Sequence, residues 1–272
     1  MFKNVIHNKM TVVGLTIVVV IVSIGIFSPF IITNDPMEMD LYNVAAPASE
    51  EHIWGTDELG RDIFSRVVSG TRTSLVIAII VVGIGTVLGT LIGAISGYLG
   101  GVIDSVVMKV MDILMAFPTI LLALFFVTVF EPGLYSAIIG VGLSSVPRFA
   151  RLVRGSVMSI KEKEYVEAQR AAGERKISIL FKHILPNCIG PIIVQATLTM
   201  GNSIITVAGL GFLGLGADPG IPEWGAMLSD ARSYLSSKPA ICIYPGIAIA
   251  VAVLGFNLLG DGLRDVLDVR QE

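Results

Sequence analysis

Long apolar runs alternate with short polar stretches along this chain of 272 residues. A helix needs about 20 mostly apolar residues to cross the hydrocarbon core of a bilayer. Six runs approach or exceed this length, although the fourth is short and the fifth contains Gly190 and Pro191. The six predicted spans are Met10–Ile32, Ser74–Tyr98, Lys109–Phe130, Leu134–Ala150, Ile189–Leu213 and Ile241–Gly260. The pattern predicts an all-α, polytopic membrane protein with six transmembrane helices.

Composition agrees with a membrane protein, because 53% of the residues are hydrophobic, only 15% are charged, and the mean hydropathy is +0.79. A soluble domain carries about 25% charged residues. The first apolar run is longer than the core of a secretory signal peptide, and no small-residue cleavage site follows closely. We therefore expect a first helix that is retained.

Basic residues predict the orientation, since cytoplasmic loops of membrane proteins are enriched in Lys and Arg. Lys3 and Lys9 precede the first span, and Arg264 and Arg270 follow the last. A larger basic group lies between spans four and five: Arg148, Arg151, Arg154, Lys161, Lys163, Arg170, Arg175, Lys176 and Lys182. Six crossings place all three groups, and both termini, in the cytoplasm. The segments 31–73 and 214–240 then lie outside.

Small and special residues suggest how the spans pack. Four glycines of the second span recur every four residues, and we favour a close helix–helix contact over a smooth pore-lining face. They are Gly85, Gly89, Gly93 and Gly97. Pro118 is expected to kink the third span. Cys188 and Cys242 lie near opposite membrane faces, so we expect packing residues and no disulfide between them.

A polar island between spans four and five predicts two short helices set at an angle. Good helix formers run through 161–172, and Gly173 is placed to end that helix in a left-handed turn. A second apolar stripe has helical spacing, and Pro186 with Asn187 is expected to turn the chain into the fifth span. The stripe consists of Ile177, Leu180, Phe181, Ile184 and Leu185. Periodicity alone fits either a docking surface for another protein or an interfacial helix on lipid headgroups.

This island resembles the cytoplasmic "EAA" loop of bacterial ABC-importer permeases. The residues that match the spacing of that loop are Glu167, Ala168, Gly173, Leu185 and Pro186. Gln169 and His183 depart from the commoner pattern. The resemblance implies that these five residues form the loop that couples the permease to an ATPase.

Three further stretches resemble the "C" subunit of the dipeptide/oligopeptide/nickel branch of these permeases. They are residues 54–72, 212–230 and 257–265. The resemblance implies the type I ABC importer permease fold. We expect one integral permease domain of five helices, 74–272, with the coupling loop at 161–187, preceded by an N-terminal helix with an extracytoplasmic loop, 1–73.

The outer segments carry charges with two possible roles. Asp57, Glu58, Arg61 and Asp62 can form an ion-paired outer cap or a solvated loop face. Trp224, after Glu223 and before a helix-like stretch, suggests an element at the membrane interface, since Trp favours that depth.

Motifs for chemistry are missing from the sequence. Without any Gly-Lys pair there is no phosphate-binding loop. His7, His52 and His183 lack metal-ligand spacing, and neither a nucleophile elbow nor a His-Glu-x-x-His motif occurs. We therefore expect no catalytic, cofactor-binding or metal-binding residue, and no enzyme activity.

An ion-coupled secondary transporter is the competing class, and it requires ionisable residues at mid-membrane depth. Asp104, Lys109 and Asp112 approach the third span only at its cytoplasmic end, and Glu131 lies at its outer end. Mid-membrane depth is therefore expected to be nearly uncharged, which favours a path powered by a partner. A channel would leave the long cytoplasmic loop unexplained.

The resemblance implies a permease of the bacterial cytoplasmic membrane that imports di- and oligopeptides. Nickel or a metal chelate is the alternative substrate, because the same branch carries both. The implied partners are a second, homologous permease subunit forming a heterodimer, two cytosolic ATPase subunits, an extracytoplasmic substrate-binding protein and the lipid bilayer. No nucleic acid and no cofactor are expected.

Overall fold

The computed structural model describes residues 8–130, 133–218 and 220–268, and the regular structure of this part is helical. Its helices are α1 (Lys9–Ile31), α2 (Ile63–Leu99), α3 (Gly101–Met115), α4 (Thr119–Val129), α5 (Leu134–Ile160), α6 (Glu164–Ala171), α7 (Lys176–Ile179), α8 (Leu185–Phe212), α9 (Trp224–Asp230) and α10 (Ala240–Asp268). A π-helical turn, Leu180–Ile184, joins α7 to α8, and a 3-10 turn, Ala231–Tyr234, follows α9. Lys3, His7, Glu131 and Arg270, which entered the sequence argument, lie outside the described residues.

Five helical runs are long and apolar enough to cross a membrane: α1, α2, α5, Lys176–Phe212 and α10. The pair α3–α4 makes a sixth if it is one span bent by 98°. The prediction that Pro118 kinks a single helix is wrong, because α3 ends at Met115 and a separate helix, α4, begins at Thr119. Proline lacks an N–H and disfavours helical backbone in the residue before it, and here these effects separate two helices.

Several helices extend beyond the predicted apolar runs into polar sequence. The second begins at Ile63 instead of Ser74, because Asp62 accepts a hydrogen bond from the Ser65 N–H at 2.7 Å and caps the helix there. α5 continues past Ala150 to Ile160. Arg151 and Arg154 therefore lie on this helix and not in the loop where the sequence had placed them. Arg148, which had been grouped with them, lies farther inside the same helix.

The two ends of the described chain lie side by side. α1 packs on α10 so closely that a Cβ on Gly14 would lie 2.4 Å from the Leu259 nitrogen. Asn8 Nδ2 donates to Asp265 Oδ2 at 3.4 Å, which places the start of α1 beside the end of α10. This arrangement is the one that an even number of crossings requires.

The glycine ridge of α2 packs against α5, as predicted. A Cβ at Gly85 would lie 1.8 Å from Ser145 Oγ, and one at Gly93 would lie 2.2 Å from the Ala150 carbonyl oxygen. Only glycine permits this approach of two helix backbones. The cysteines also agree with their prediction, because both are buried and free.

Candidate functional site

The first half of the predicted coupling loop is the eight-residue helix α6, ended by Gly173. Gly173 has φ +82°, its N–H donates to the Arg170 carbonyl at 3.0 Å, and the Glu174 N–H donates to the Gln169 carbonyl at 3.1 Å. These two bonds are the Schellman motif, which satisfies the last carbonyls of a helix and favours glycine. The turn expected at Gly173 is therefore confirmed.

The second half of the loop differs from its prediction, because Pro186 does not turn the chain. Residues 176–212 form one helical run in which the Leu185 N–H donates to the Leu180 carbonyl, five residues back. This π turn restarts the helix at Leu185, so Pro186 falls in the first turn of α8. Proline is tolerated at the first position of a helix, where its fixed φ suits helical backbone.

The buried face of this second half also differs from the predicted stripe. Ile179 and Ile184 are 0% exposed, whereas Ile177 is 73% exposed and Phe181 is 49% exposed. The π turn accounts for the change, since an extra residue shifts which side chains share a face. Together with Val166 of α6, the buried residues pack on Val153 and Val157 of α5 and on Ala94 of α2.

Contacts among Glu174, Ser178 and His183 join the two halves of the loop, and we call these three residues the clasp. The Ser178 hydroxyl donates to Glu174 Oε1 at 2.5 Å, and His183 Nε2 lies 2.9 Å from Glu174 Oε2. The Ser178 hydrogen bond, with the nearby His183, lowers the pKa of Glu174 below its ordinary value. Sequence reasoning had noted His183 only as a departure from the family pattern, because the spacing gave no sign that Glu174 faces it.

The predicted coupling residues lie on two parts of this loop. Glu167 and Ala168 are exposed on α6, and Gly173 is exposed at its end. Leu185, half-buried, and Pro186, exposed, begin α8. The two parts are joined through Tyr165, whose hydroxyl lies 3.5 Å from the His183 carbonyl oxygen and accepts from Asn187 Nδ2 at 3.4 Å.

A basic cavity of about 480 Å³ adjoins the loop. Its lining includes Lys161, Arg170 and Lys176 beside Glu174. The Arg170 guanidinium lies 5.9 Å from the centre of the Tyr98 ring at the end of α2. The cavity shows that the loop meets the end of α2 through charged and aromatic contacts.

The polar segment before α2 is an ion-paired cap and not a solvated loop face. Arg61, 1% exposed, bonds through Nε to Asp57 Oδ2 at 2.6 Å and through Nη2 to Glu58. Arg61 Nη2 also lies 3.6 Å from Oδ2 of Asp230, which is distant in the sequence at the end of α9. Burial, and then the Asp57 carboxylate, raise the pKa of Glu58.

Trp224 packs inside this outer structure, and its predicted place at the membrane interface stays a prediction. It is 1% exposed, and its indole N–H donates to the Val67 carbonyl at 3.1 Å. Its neighbour Glu223 caps α9 by accepting from the Gly225 and Ala226 N–H groups at 3.0 and 2.8 Å. The Ser74 hydroxyl of α2 donates to the same carboxylate at 3.2 Å, so these residues fasten α9 onto α2.

Comparison with known proteins gives matches over nearly the whole chain. Residues 89–272 match the family described as binding-protein-dependent transport system inner membrane component. Residues 1–48 match the N-terminal TM domain of oligopeptide transport permease C.

Curated relatives include the dipeptide transport system permease protein DppC of Alkalihalophilus pseudofirmus, 45% identical over 100% of this chain and 89% of that protein. The di/tripeptide transport system permease protein DppC of Pseudomonas aeruginosa is 40% identical over 96% of this chain and 88% of its own length. The glutathione transport system permease protein GsiD of Shigella flexneri is 45% identical over 96% of this chain and 87% of its own length.

A solved structure supports the expected type I ABC importer permease fold. The inward-facing MetNI methionine ABC transporter superposes with a TM-score of 0.61 at 21% identity, over 75% of this chain and 97% of that one. At this identity the likeness shows the fold alone. The full-length relatives and the match over 89–272 show more: the chain belongs to the family of binding-protein-dependent transport system inner membrane components.

Proposed function

We propose that this permease component of an ABC importer carries di- and oligopeptides into the cell, and that the loop from 161 to 187 couples it to ATP hydrolysis on separate subunits. The substrate is supported by the relatives described above, whose names refer to dipeptides, di/tripeptides and glutathione. None of these three names refers to a metal, so peptide is favoured over the nickel alternative.

One observation carries the coupling role: α6 is exposed on one side and anchored on the other. Val166 is fully buried against the ends of α2 and α5, while Glu167 and Ala168 face outward. A protein that grips the exposed side would therefore pull on the packed helices and not on a loose loop. We assign this grip to a cytosolic ATPase subunit, and the loop and both termini to the cytoplasmic side.

The remaining partners follow from the same assignment. A second, homologous permease subunit would complete the translocation path between two helix bundles, and a substrate-binding protein would deliver peptide to the outer face. ATP-driven closure of two ATPase subunits would open the bundles outward, and hydrolysis would return them to the inward-facing state.

The test compares Gly173→Val with Gly173→Asn in the assembled transporter. A Cβ at Gly173 meets nothing within 4 Å, so crowding inside this chain is absent and the φ of +82° is the obstacle. Asn tolerates left-handed backbone and Val does not. We expect Gly173→Val to lower labelled dipeptide uptake several-fold while ATPase activity persists, and Gly173→Asn to retain more uptake.

Unchanged uptake by Gly173→Val would remove the coupling assignment. Uptake of dipeptide and of nickel by a deletion strain carrying the wild-type chain tests the substrate separately. Nickel uptake without dipeptide uptake would replace the peptide assignment.

A further inference from the structure

Arg148 lies near the middle of α5, although sequence reasoning had grouped it with the arginines of the cytoplasmic loop. It stands about 21 Å along the helix axis from the start of α5 at Leu134 and about 18 Å before its end at Ile160, at 1.5 Å per residue. α5 is the least apolar and most buried of the five long helices, and Arg148 is an exposed position between buried neighbours. An arginine inside a membrane span faces the bundle interior or a water-filled cavity and marks a substrate or ion path.

Arg148 also differs from the other two arginines of α5 in its partners. Arg151 pairs with Asp112, and Arg154 bonds Asp104 through Nε and Nη2, each at 2.6 Å. Arg148 Nη2 donates to Thr119 Oγ1 at 3.1 Å, and no carboxylate of the described residues lies within ion-pair distance of it. Most of its five guanidinium donors are therefore available to a ligand.

The backbone break between α3 and α4 lies beside the same side chain. Residues 116–118 leave the helical path, the chain bends by 98°, and a cavity of about 310 Å³ opens there. Its walls include Phe117, Pro118, Thr119, Ser144 and Arg148. Non-helical backbone at membrane depth is tolerated only inside protein or along a water-filled cavity, so the break and the arginine independently indicate a polar passage.

We propose that this cavity is a step on the translocation path and that Arg148 binds the C-terminal carboxylate of the passing peptide. This inference rests on the proposed peptide-import function. A guanidinium pairs with a carboxylate through two parallel hydrogen bonds. Every unmodified peptide carries that carboxylate whatever its side chains, so such a contact would guide peptides without selecting their sequence.

The test uses the assembled transporter in proteoliposomes with its binding protein. Arg148→Gln removes the charge, and Arg148→Lys keeps the charge without the two parallel N–H donors of the guanidinium. Arg151→Gln is the matched control on the same helix. Each variant receives a labelled dipeptide and its C-terminal amide. Charge-assisted hydrogen bonds contribute about 1.5–3 kcal/mol, so we expect Arg148→Gln to slow dipeptide uptake about tenfold or more.

Uptake of the amide by Arg148→Gln should stay within about twofold of wild type, and Arg148→Lys should be intermediate for the dipeptide. Unchanged dipeptide uptake, or an equal loss for both peptides, overturns the proposal. An equal loss would indicate a structural role, such as pairing with the second permease subunit. A wild-type transporter that takes up no dipeptide would instead refute the proposed function.

A second measurement decides the matter if the binding protein rejects the amide. Phe117→Cys, in a chain whose Cys188 and Cys242 are replaced by Ala, places a thiol in the cavity wall. We expect a polar methanethiosulfonate reagent to label this thiol, and transported dipeptide to slow the labelling only when Arg148 is present. Absence of labelling, or labelling that dipeptide does not alter, overturns the proposal.

Discussion

Glycines of α2 that look alike in the sequence have opposite surroundings in the fold. A Cβ on Gly89 would lie 2.4 Å from Phe149 Cβ, whereas one on Gly83 would meet nothing within 4 Å. The four-residue spacing predicted which glycines face a neighbour, because that period follows one side of a helix. It could not predict that the neighbour is α5, since no local pattern encodes a partner helix.

The substitution Gly89→Ala should therefore destabilise the protein by about 1–3 kcal/mol, the usual cost of overpacking. Gly83→Ala is the matched control and should be neutral or stabilising by up to about 1 kcal/mol, because its added methyl group reaches open space and alanine favours helix more than glycine does. Thermal unfolding of the two purified transporters measures the difference. Equal unfolding temperatures would contradict the backbone contact between α2 and α5.

Arg61 is a second residue whose role depends on distant sequence. Asp57 and Glu58 are close to it along the chain, but Asp230 is not. The sequence therefore left the ion-paired cap and the solvated face open, since only the folded chain removes these groups from water.

Removing one partner of a buried ion pair costs about 3–5 kcal/mol, because it leaves an uncompensated charge. We expect a loss of this size for Arg61→Gln. Arg232→Gln, at an exposed position of the same outer region, should change stability by less than about 0.5 kcal/mol. Denaturation of the purified transporter compares them, and equal losses would show that the cap does not stabilise the fold.

At the element scale, two prolines show that local sequence patterns do not predict whether a helix continues or ends. Pro118 was expected to kink a span and separates α3 from α4, while Pro186 was expected to turn the chain and lies inside a helical run. In each case the outcome depends on whether nearby backbone can take over the lost hydrogen bond. A π turn, in which the Leu185 N–H donates to the Leu180 carbonyl, directly precedes Pro186, and nothing in the residue pattern predicts it.

The clasp between the halves of the coupling loop should depend on pH through Glu174. Its native pKa lies below the ordinary value of 4.5, so its contribution is complete above that value and is lost as pH falls through the native pKa. The difference in unfolding temperature between wild type and Glu174→Gln should shrink as the pH falls through the native pKa of Glu174. Glu162→Gln, at an exposed loop position, is the control and should show no such trend.

A constant difference down to acid pH for Glu174→Gln would show that its carboxylate charge does not hold the loop. A trend shared by Glu162→Gln would show a general effect of net charge instead.

At the scale of the whole molecule, the number and order of apolar runs predicted the helical architecture well. Helix ends and the arrangement of charges were predicted less well, because α2, α5 and α8 extend into polar sequence where hydropathy gives no signal. Grouping Arg148 with the loop arginines also concealed that it lies near the middle of α5. The division of the chain at residue 73 and the coupling residues themselves stay predictions.

Orientation in the membrane can be tested with single thiols. Ser236→Cys and Lys163→Cys are at exposed positions in the two opposite end regions of the fold. In intact cells a membrane-impermeant maleimide should label Ser236→Cys, and it should label Lys163→Cys only after permeabilisation. The reverse pattern would invert the topology and remove the ATPase from the loop.

The continuous helical run from Lys176 to Phe212 connects the two ends of the molecule. At 1.5 Å per residue it is about 55 Å long, which exceeds the thickness of a bilayer. Its inner end lies in the loop assigned to the ATPase. Its outer end contacts α9, where a Cβ on Gly225 would lie 2.5 Å from the Ala208 Cα. A displacement of the inner end would therefore act on the contact with α9 through this one helical run, in which the π turn at Leu180–Ile184 and Pro191 are the places that can bend.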